Sequence, residues 1–421
     1  VVSSNSTTSP DFRVVITGIG VISPIGQTLD AVWDALCTGR SGIGPLTRVP
    51  AEGLSSQIAG EVRDFDPFCW LEPKEARRTD RFIQFAVAAA RQALEQAGLS
   101  PLPSSVAEQT GVILGSALGG VETFEREVVT LIERGPRRVS PFLIPMFLPD
   151  MAAGYVSIVA GATGLNFATL SACASGAHAI GEAAEAIRRG DALVMLAGGT
   201  EAPLTRSVIA GFAALQALST RNDEPQTASR PFDATRDGFV IAEGAAVFVL
   251  ERLDHALSRG APILAEVTGY GATADAYHIV QPCADGAGAV RAMQRALASA
   301  RLAPSDIDYV NAHGTSTPLN DAAETLAIKR VFGDRTPPVS STKALTGHLL
   351  GAAGALEAAF CVLALHHQVI PPTWHWRVPD PQCDLDYVTE GPRPATLRHV
   401  LNNAFGFGGH NAALVLSRYD G

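Results

Sequence analysis

The sequence predicts an α/β protein made of two similarly organised halves, and three observations carry that prediction. Strand-like runs at 13–23, 110–117, 165–172, 191–199, 245–251, 263–273, 306–312, 399–405 and 412–418 alternate with helical runs such as 79–97 and 284–300. That is the pattern of mixed sheets covered by helices. Several strands, including the run from Asp191 to Gly198, are apolar on both faces, as a sheet covered on both sides requires. Finally, the second half repeats the order of the first.

The repeat opens with Val14 to Gly20, a buried strand closing on Thr17-Gly18-Ile19-Gly20, which returns as Ala265 to Gly271 with Thr268-Gly269-Tyr270-Gly271. A helix closing over Gln92 to Pro101 has its counterpart at Arg295 to Pro304, and each precedes a strand, Thr110–Gly115 and Ile307–Asn311. Each half then enters an Ala-rich helix from a small-residue loop, over 173–189 and over 348–367. The halves divide near Gly260, giving 11–260 and 261–421 after a polar tail at 1–10 that is expected to be disordered.

Composition narrows the function. The chain has 421 residues, is 47% hydrophobic and carries a net charge of −10, which argues against a general nucleic-acid surface. Its six cysteines are scattered, with no Cys-x-x-Cys pair, so neither a structural metal nor a disulfide framework is expected. A reducing, cytoplasmic compartment fits. Residues 1–10 are too short and polar for a signal peptide, and no stretch reaches the ~20 apolar residues that span a bilayer.

Cys173 sits where an apolar strand-like run, Leu165 to Leu170, turns into the helix-like run from Ala177 to Arg189. Unpaired N–H groups at such a junction favour an anion and lower a thiol's pKa. Taken alone, it reads equally as a small core cysteine. His313 ends a strand among small and hydroxylic residues, Ala312-His313-Gly314-Thr315-Ser316-Thr317. His348 precedes a Gly/Ala-rich helix, with Lys343 five residues before it. The run from Asn403 to Asn411 (Asn-Ala-Phe-Gly-Phe-Gly-Gly-His-Asn) has glycines that let backbone N–H groups approach a substrate and a ring swing. Each piece, in isolation, is also compatible with a structural role.

Together, in this order and spacing, they resemble the β-ketoacyl-acyl carrier protein synthases of the thiolase-like superfamily, from Arg13 to Tyr419. Further support comes from Gly211-Phe212, Ala217 to Asp223, Ser229 to Asp233, Arg236 to Val240, Asp275 to His278, and Thr346 to Gly354. The match is closest to the type II elongation synthase. The resemblance implies a thiolase-like fold with two pseudo-twofold halves in αβαβα layers. It also implies a decarboxylative Claisen condensation of a malonyl thioester with an acyl group held on Cys173.

By the same resemblance, His313 and His348 donate through Nε2 to the enolate oxygen, and the backbone N–H groups of Cys173 and Phe407 hold the tetrahedral oxyanion. Lys343 pairs with a carboxylate matching Glu324, and Phe407 gates the acyl chain. Thr315 and Thr317 contact the pantetheine arm, while Leu118, Phe212, Phe405 and His278 line the substrate path. Leu143 matches a pocket position contributed by a neighbouring subunit of a homodimer. Lys74, Arg77, Arg78, Arg137 and Arg138 match the positions that dock the acidic acyl carrier protein. No resident cofactor or metal is implied, because phosphopantetheine arrives on the carrier. Gln216 and Val280 depart from the usual Arg and Thr, which keeps a stand-alone ketosynthase of a specialised polyketide or polyunsaturated-lipid pathway as the alternative. A catalytically silent partner subunit is disfavoured, because Cys173, His313 and His348 are all present.

Overall fold

A computed structural model describes residues 12–421; the tail expected at 1–10 lies outside the described residues. The first half supplies β1 (Val14–Ile22), β2 (Thr110–Gly115), β3 (Asn166–Thr169), β4 (Val194–Glu201) and β5 (Gly244–Arg252), in spatial order β3-β2-β4-β5-β1. The second supplies β6 (Ala265–Ala274), β7 (Tyr309–Asn311), β8 (Val339–Ser340), β9 (His399–Gly406) and β10 (His410–Ser417), in order β8-β7-β9-β10-β6. The two orders are the same order. The directions match too: three parallel strands, then two antiparallel ones, in each half. The half-sheets meet where β1 pairs with β6, Val15 opposite Glu266 and Ile16 opposite Ala265.

Side-chain parity along these strands builds the layers. Val112, Leu114 and Leu196 point outward onto Phe85, Ala89 and Ala93 of α1 (Arg81–Gln96). Ile113, Met195 and Ala197 point inward onto Ile180 and Ala184 of α2 (Ser175–Arg189). In the second half, Leu401 and Val415 face α3 (Ala287–Ala300) and α4 (Pro318–Phe332). Val400 and Leu414 face inward, toward Leu356 and Phe360 of α5 (Ala353–His367). Helices α2 and α5 therefore lie between the half-sheets, in five αβαβα layers. This explains why the 18 residues Leu350–His367 are apolar enough to cross a membrane, yet 89% of that span is buried inside the fold.

The repeated Gly-x-Gly has a steric cause. A Cβ on Gly18 or Gly20 would lie 2.0 or 1.9 Å from the carbonyls of Ala93 and Ala89 in α1. On Gly269 or Gly271 it would lie 2.2 or 2.1 Å from those of Ala296 and Ala292 in α3. Only glycine lets each outer helix rest directly on its strand.

Two expected elements are shorter than their sequence pattern. The strand expected over 165–172 stops at Thr169, because the chain turns into an elbow at Ala172, a non-glycine residue at φ +50°. The helix expected from 348 starts at Ala353, after Leu350 at φ +46°. Each elbow carries a one-turn 3₁₀ helix, Ala172–Ala174 and Leu350–Ala352, so the bend itself is repeated.

Candidate active site

Four segments converge at the C-terminal ends of β3, β7, β8 and β9, where ligands gather in open α/β sheets. The β3–α2 elbow brings Cys173, the β7–α4 loop brings His313, and the segment between β8 and α5 brings Lys343 and His348. The β9–β10 hairpin brings Phe407. Cys173, His313, His348 and Phe407 line one cavity of about 780 Å³.

The imidazoles of His313 and His348 meet edge to face, 5.3 Å between centroids. Phe405 stands 5.8 Å from His313, and Phe239 stands 5.2 Å from His348. Both Nδ1 atoms are buried without a hydrogen-bond partner. A buried orphan N–H costs more than an orphan lone pair, which assigns the proton of each ring to Nε2. Burial, reinforced by the Lys343 charge, holds both rings well below the usual histidine range. They are neutral N–H donors at neutral pH.

Cys173 is half-buried and open to the cavity. Backbone N–H groups of Phe407 and of Cys173 itself face its sulfur. The expected lowering of its pKa is overturned. Burial pushes the thiol up to about 12, with Glu201 adding to the rise, while Lys343 and the two N–H groups pull the other way. The junction supplies donors, but desolvation of a thiolate outweighs them. The resting group is a neutral thiol.

The expected pairing of Lys343 with Glu324 is also corrected. Lys343 is fully buried, forms an ion pair with Glu357 of α5, and donates from Nζ to the His313 carbonyl at 2.6 Å. Glu324, on α4, instead accepts the N–H groups of His313 and Gly314, both at 2.8 Å, and Asn403 Nδ2 at 3.2 Å. Burial still lifts it to about 7. Glu324 thus fixes the loop that carries His313 without holding the lysine. The sequence could not distinguish the two carboxylates, because which one lies under Lys343 depends on how α5 packs.

Other expected residues fall on the cavity wall. Leu118, Phe212, Phe405, Thr315 and Thr317 line it, as do Gln216 and Val280. The Thr315 and Thr317 hydroxyls lie 2.9 Å apart, and Thr317 also caps α4. His278 is at the mouth, its Nδ1 accepting from the N–H groups of Val280 and Gln281. The structure does not bring Leu143 to this chain's cavity. Lys74, Arg77, Arg78, Arg137 and Arg138 are exposed outside it. The Arg78 guanidinium lies over the Phe142 ring at 4.6 Å, which draws the two basic segments together.

Three residues near the site were missed in the sequence. Glu357 carries the ion pair just described, and Glu201 at the end of β4 accepts from Ala117, Leu118 and Gly351 N–H and from Ser116 Oγ. His178 binds Ser171 at the elbow. An acidic residue closing an otherwise apolar buried strand was the available signal for Glu201. Among the described residues no group of three or more His, Cys, Asp or Glu is placed to hold a metal ion.

This architecture and this cavity define a thiolase-fold condensing enzyme. The chain matches the family description "Beta-ketoacyl synthase, N-terminal domain" over residues 11–256 and "Beta-ketoacyl synthase, C-terminal domain" over 264–377. The chain belongs to the β-ketoacyl synthase family. It is 49% identical over 414 residues to a 3-oxoacyl-[acyl-carrier-protein] synthase 2 of Staphylococcus aureus, covering 98% of this chain and 100% of that one. It is 48% identical to the protein of that name from Synechocystis sp., covering 97% and 98%. Among solved structures, a β-ketoacyl synthase from Burkholderia phymatum superposes with a TM-score of 0.91 at 40% identity, covering 97% and 100%. A chain from a complex of a type II polyketide acyl carrier protein with its ketosynthase superposes at 0.90 with 35% identity, again covering 97% and 100%.

Proposed function

We propose that this protein is a β-ketoacyl-[acyl-carrier-protein] synthase that elongates fatty acyl chains by decarboxylative condensation. The observation that carries this is one cavity holding a thiol faced by two backbone N–H groups, beside two neutral imidazoles. Cys173 attacks the carrier-bound acyl thioester, forming the new thioester and releasing the pantetheine thiol, which takes up the cysteine's proton. A malonyl thioester then loses CO₂, and the electron pair of the broken C–C bond becomes an enolate. His313 and His348 donate Nε2–H to its oxygen. The enolate carbon attacks the Cys173 acyl carbon, the oxyanion rests on the N–H groups of Cys173 and Phe407, and collapse expels the Cys173 thiolate, which is reprotonated. Lys343 holds Glu357 and the His313 carbonyl, fixing the floor beneath both rings.

Phe407 acts as the gate to the acyl chain, Thr315 and Thr317 meet the pantetheine, and the exposed cluster of Lys74, Arg77, Arg78, Arg137 and Arg138 docks an acidic carrier. No resident cofactor takes part. The working unit is a homodimer. Its support is the unpaired edge strand β3, flanked by exposed Leu165, Phe167, Leu170, Ile158 and Ile144, the kind of edge that a second copy covers. Six free cysteines fit a cytoplasmic location. The test is mass spectrometry after incubation with acyl-carrier thioesters in the absence of a malonyl thioester: an acyl mass on Cys173 is expected, and a Cys173 left unmodified under those conditions would refute the reading.

A further inference from the structure

We infer that His178 is a positioning residue that holds the nucleophile elbow, and with it the oxyanion donor Cys173 N–H, in register with the β9–β10 hairpin that carries Phe407 N–H. The inference rests on the acyl-Cys173 reading above. His178 lies in the second turn of α2, with Nδ1 2.6 Å from Ser171 Oγ, two residues before the nucleophile. The ring lies beside the backbone of Asn411 on β10, and Asn411 pairs with Phe405, two residues before Phe407.

Nδ1 and the Ser171 hydroxyl are hydrogen-bonded in either tautomer. Burial pushes the ring down to about 4, with His410 adding to the effect. The Tyr270 ring closes its edge at 6.2 Å. The ring is neutral, so one nitrogen accepts while the other donates.

Elbow and hairpin already touch backbone to backbone: a Cβ on Gly406 would come within 2.7 Å of Ser171 O and 3.0 Å of Cys173 N. The elbow is strained at Ala172, and strain of this kind persists only where surrounding structure over-determines it. Ser175 Oγ ties the elbow within itself, to Ala172 O and Ser171 N. The histidine side chain adds a hold on the elbow from α2, beside the hairpin strand β10.

The test compares His178→Ala, His178→Asn and Ser171→Ala with wild type. Acylation of Cys173 by acyl-carrier thioester is followed by intact mass, and malonyl decarboxylation is measured with and without His178→Ala in a Cys173→Gln background. Acylation and kcat for condensation should fall about 10- to 100-fold in His178→Ala, below the full loss of an oxyanion donor. Decarboxylation should stay within about twofold and the carrier KM should be unchanged, because the enolate is held by other groups. His178→Asn, which keeps a hydrogen-bonding partner for Ser171, should recover part of the rate. Ser171→Ala should reproduce the loss without touching the helix. Unchanged acylation in folded His178→Ala and Ser171→Ala overturns the inference, as does a parallel fall of decarboxylation. A wild type that forms no adduct overturns the acyl-enzyme reading, and this one with it.

Discussion

Replacing Glu201 with Gln should flatten the pH dependence of stability. Glu201 closes β4 with its carboxylate fully buried. Oε2 accepts the N–H groups of Ala117 at 2.6 Å and Gly351 at 3.0 Å, while Oε1 accepts Leu118 N and Ser116 Oγ, both at 3.1 Å. Burial nevertheless lifts its pKa from 4.5 to about 7, because four donors do not replace bulk water. A carboxyl whose folded pKa is raised gives stability that is complete below pH 4.5 and lost as pH climbs through 7. Two and a half pH units at 1.36 kcal/mol each come to about 3 kcal/mol. The Gln variant has no such titration. At pH 5 its amide faces one pair of donors with N–H groups, so it should be less stable than wild type by about 2 kcal/mol. By pH 8 that deficit should close or reverse. Urea unfolding at equal protein concentration, at pH 5 and pH 8, measures the gap. A gap that stays constant within about 1 kcal/mol refutes the argument.

Other substitutions test other parts of the structure. Cys173→Gln should abolish condensation but keep malonyl decarboxylation. The decarboxylation rate should run flat through pH 6.5, because both rings are held well below that value; an inflection near 6.5 in the rate profile counts against neutral imidazole donors. Gly20→Ala and Gly271→Ala each drive a methyl into a helix carbonyl, at 1.9 and 2.1 Å. Each should cost at least about 2 kcal/mol, read as a drop in Tm, with similar losses in the two halves. Leu143→Phe should shorten the longest acyl chain accepted, measured with a rate panel of carrier-bound chains, if Leu143 enters a neighbouring subunit's pocket. An unchanged cut-off would remove that role.

The fold was legible because its repeat is steric. Gly18, Gly20, Gly269 and Gly271 each sit under a helix carbonyl, so the same residues must recur wherever a helix lies on its strand in this way. His313 was legible because it stands among small and hydroxylic neighbours, and His348 because it precedes a Gly/Ala-rich helix in the order the other motifs require. Partnerships formed across the fold were not legible. Glu324 and Glu357 are both buried acids on helices of the second half, and only the packing of α5 against the β8 end puts the second beneath Lys343. The thiol's pKa failed for a related reason. The junction's N–H groups can be read from local sequence, but the depth of burial is a sum over all layers.

The repeated elbow explains why a fold of two matching halves presents one elbow thiol instead of two. Counting back from the first residues of α2 and α5, Ala172 corresponds to Leu350, both at positive φ, and Cys173 corresponds to Gly351. A Cβ on Gly351 would lie 2.5 Å from Ala117 N and 2.6 Å from Glu201 Oε2, so a second cysteine does not fit there. The glycine instead gives its N–H to Glu201, which holds the loop bearing Leu118 on the cavity wall. Gly176 and Gly354 let the starts of the two central helices pack together, a Cβ on either coming 2.9 Å from Ala355 or Ala177 of the other. The second elbow therefore works as the buttress of the first. Its functional side chains stand nearer β8, His348 three residues and Lys343 eight residues before Gly351. In the proposed reaction, one half presents the acyl-bearing thiol, and the other presents the donors that receive the enolate.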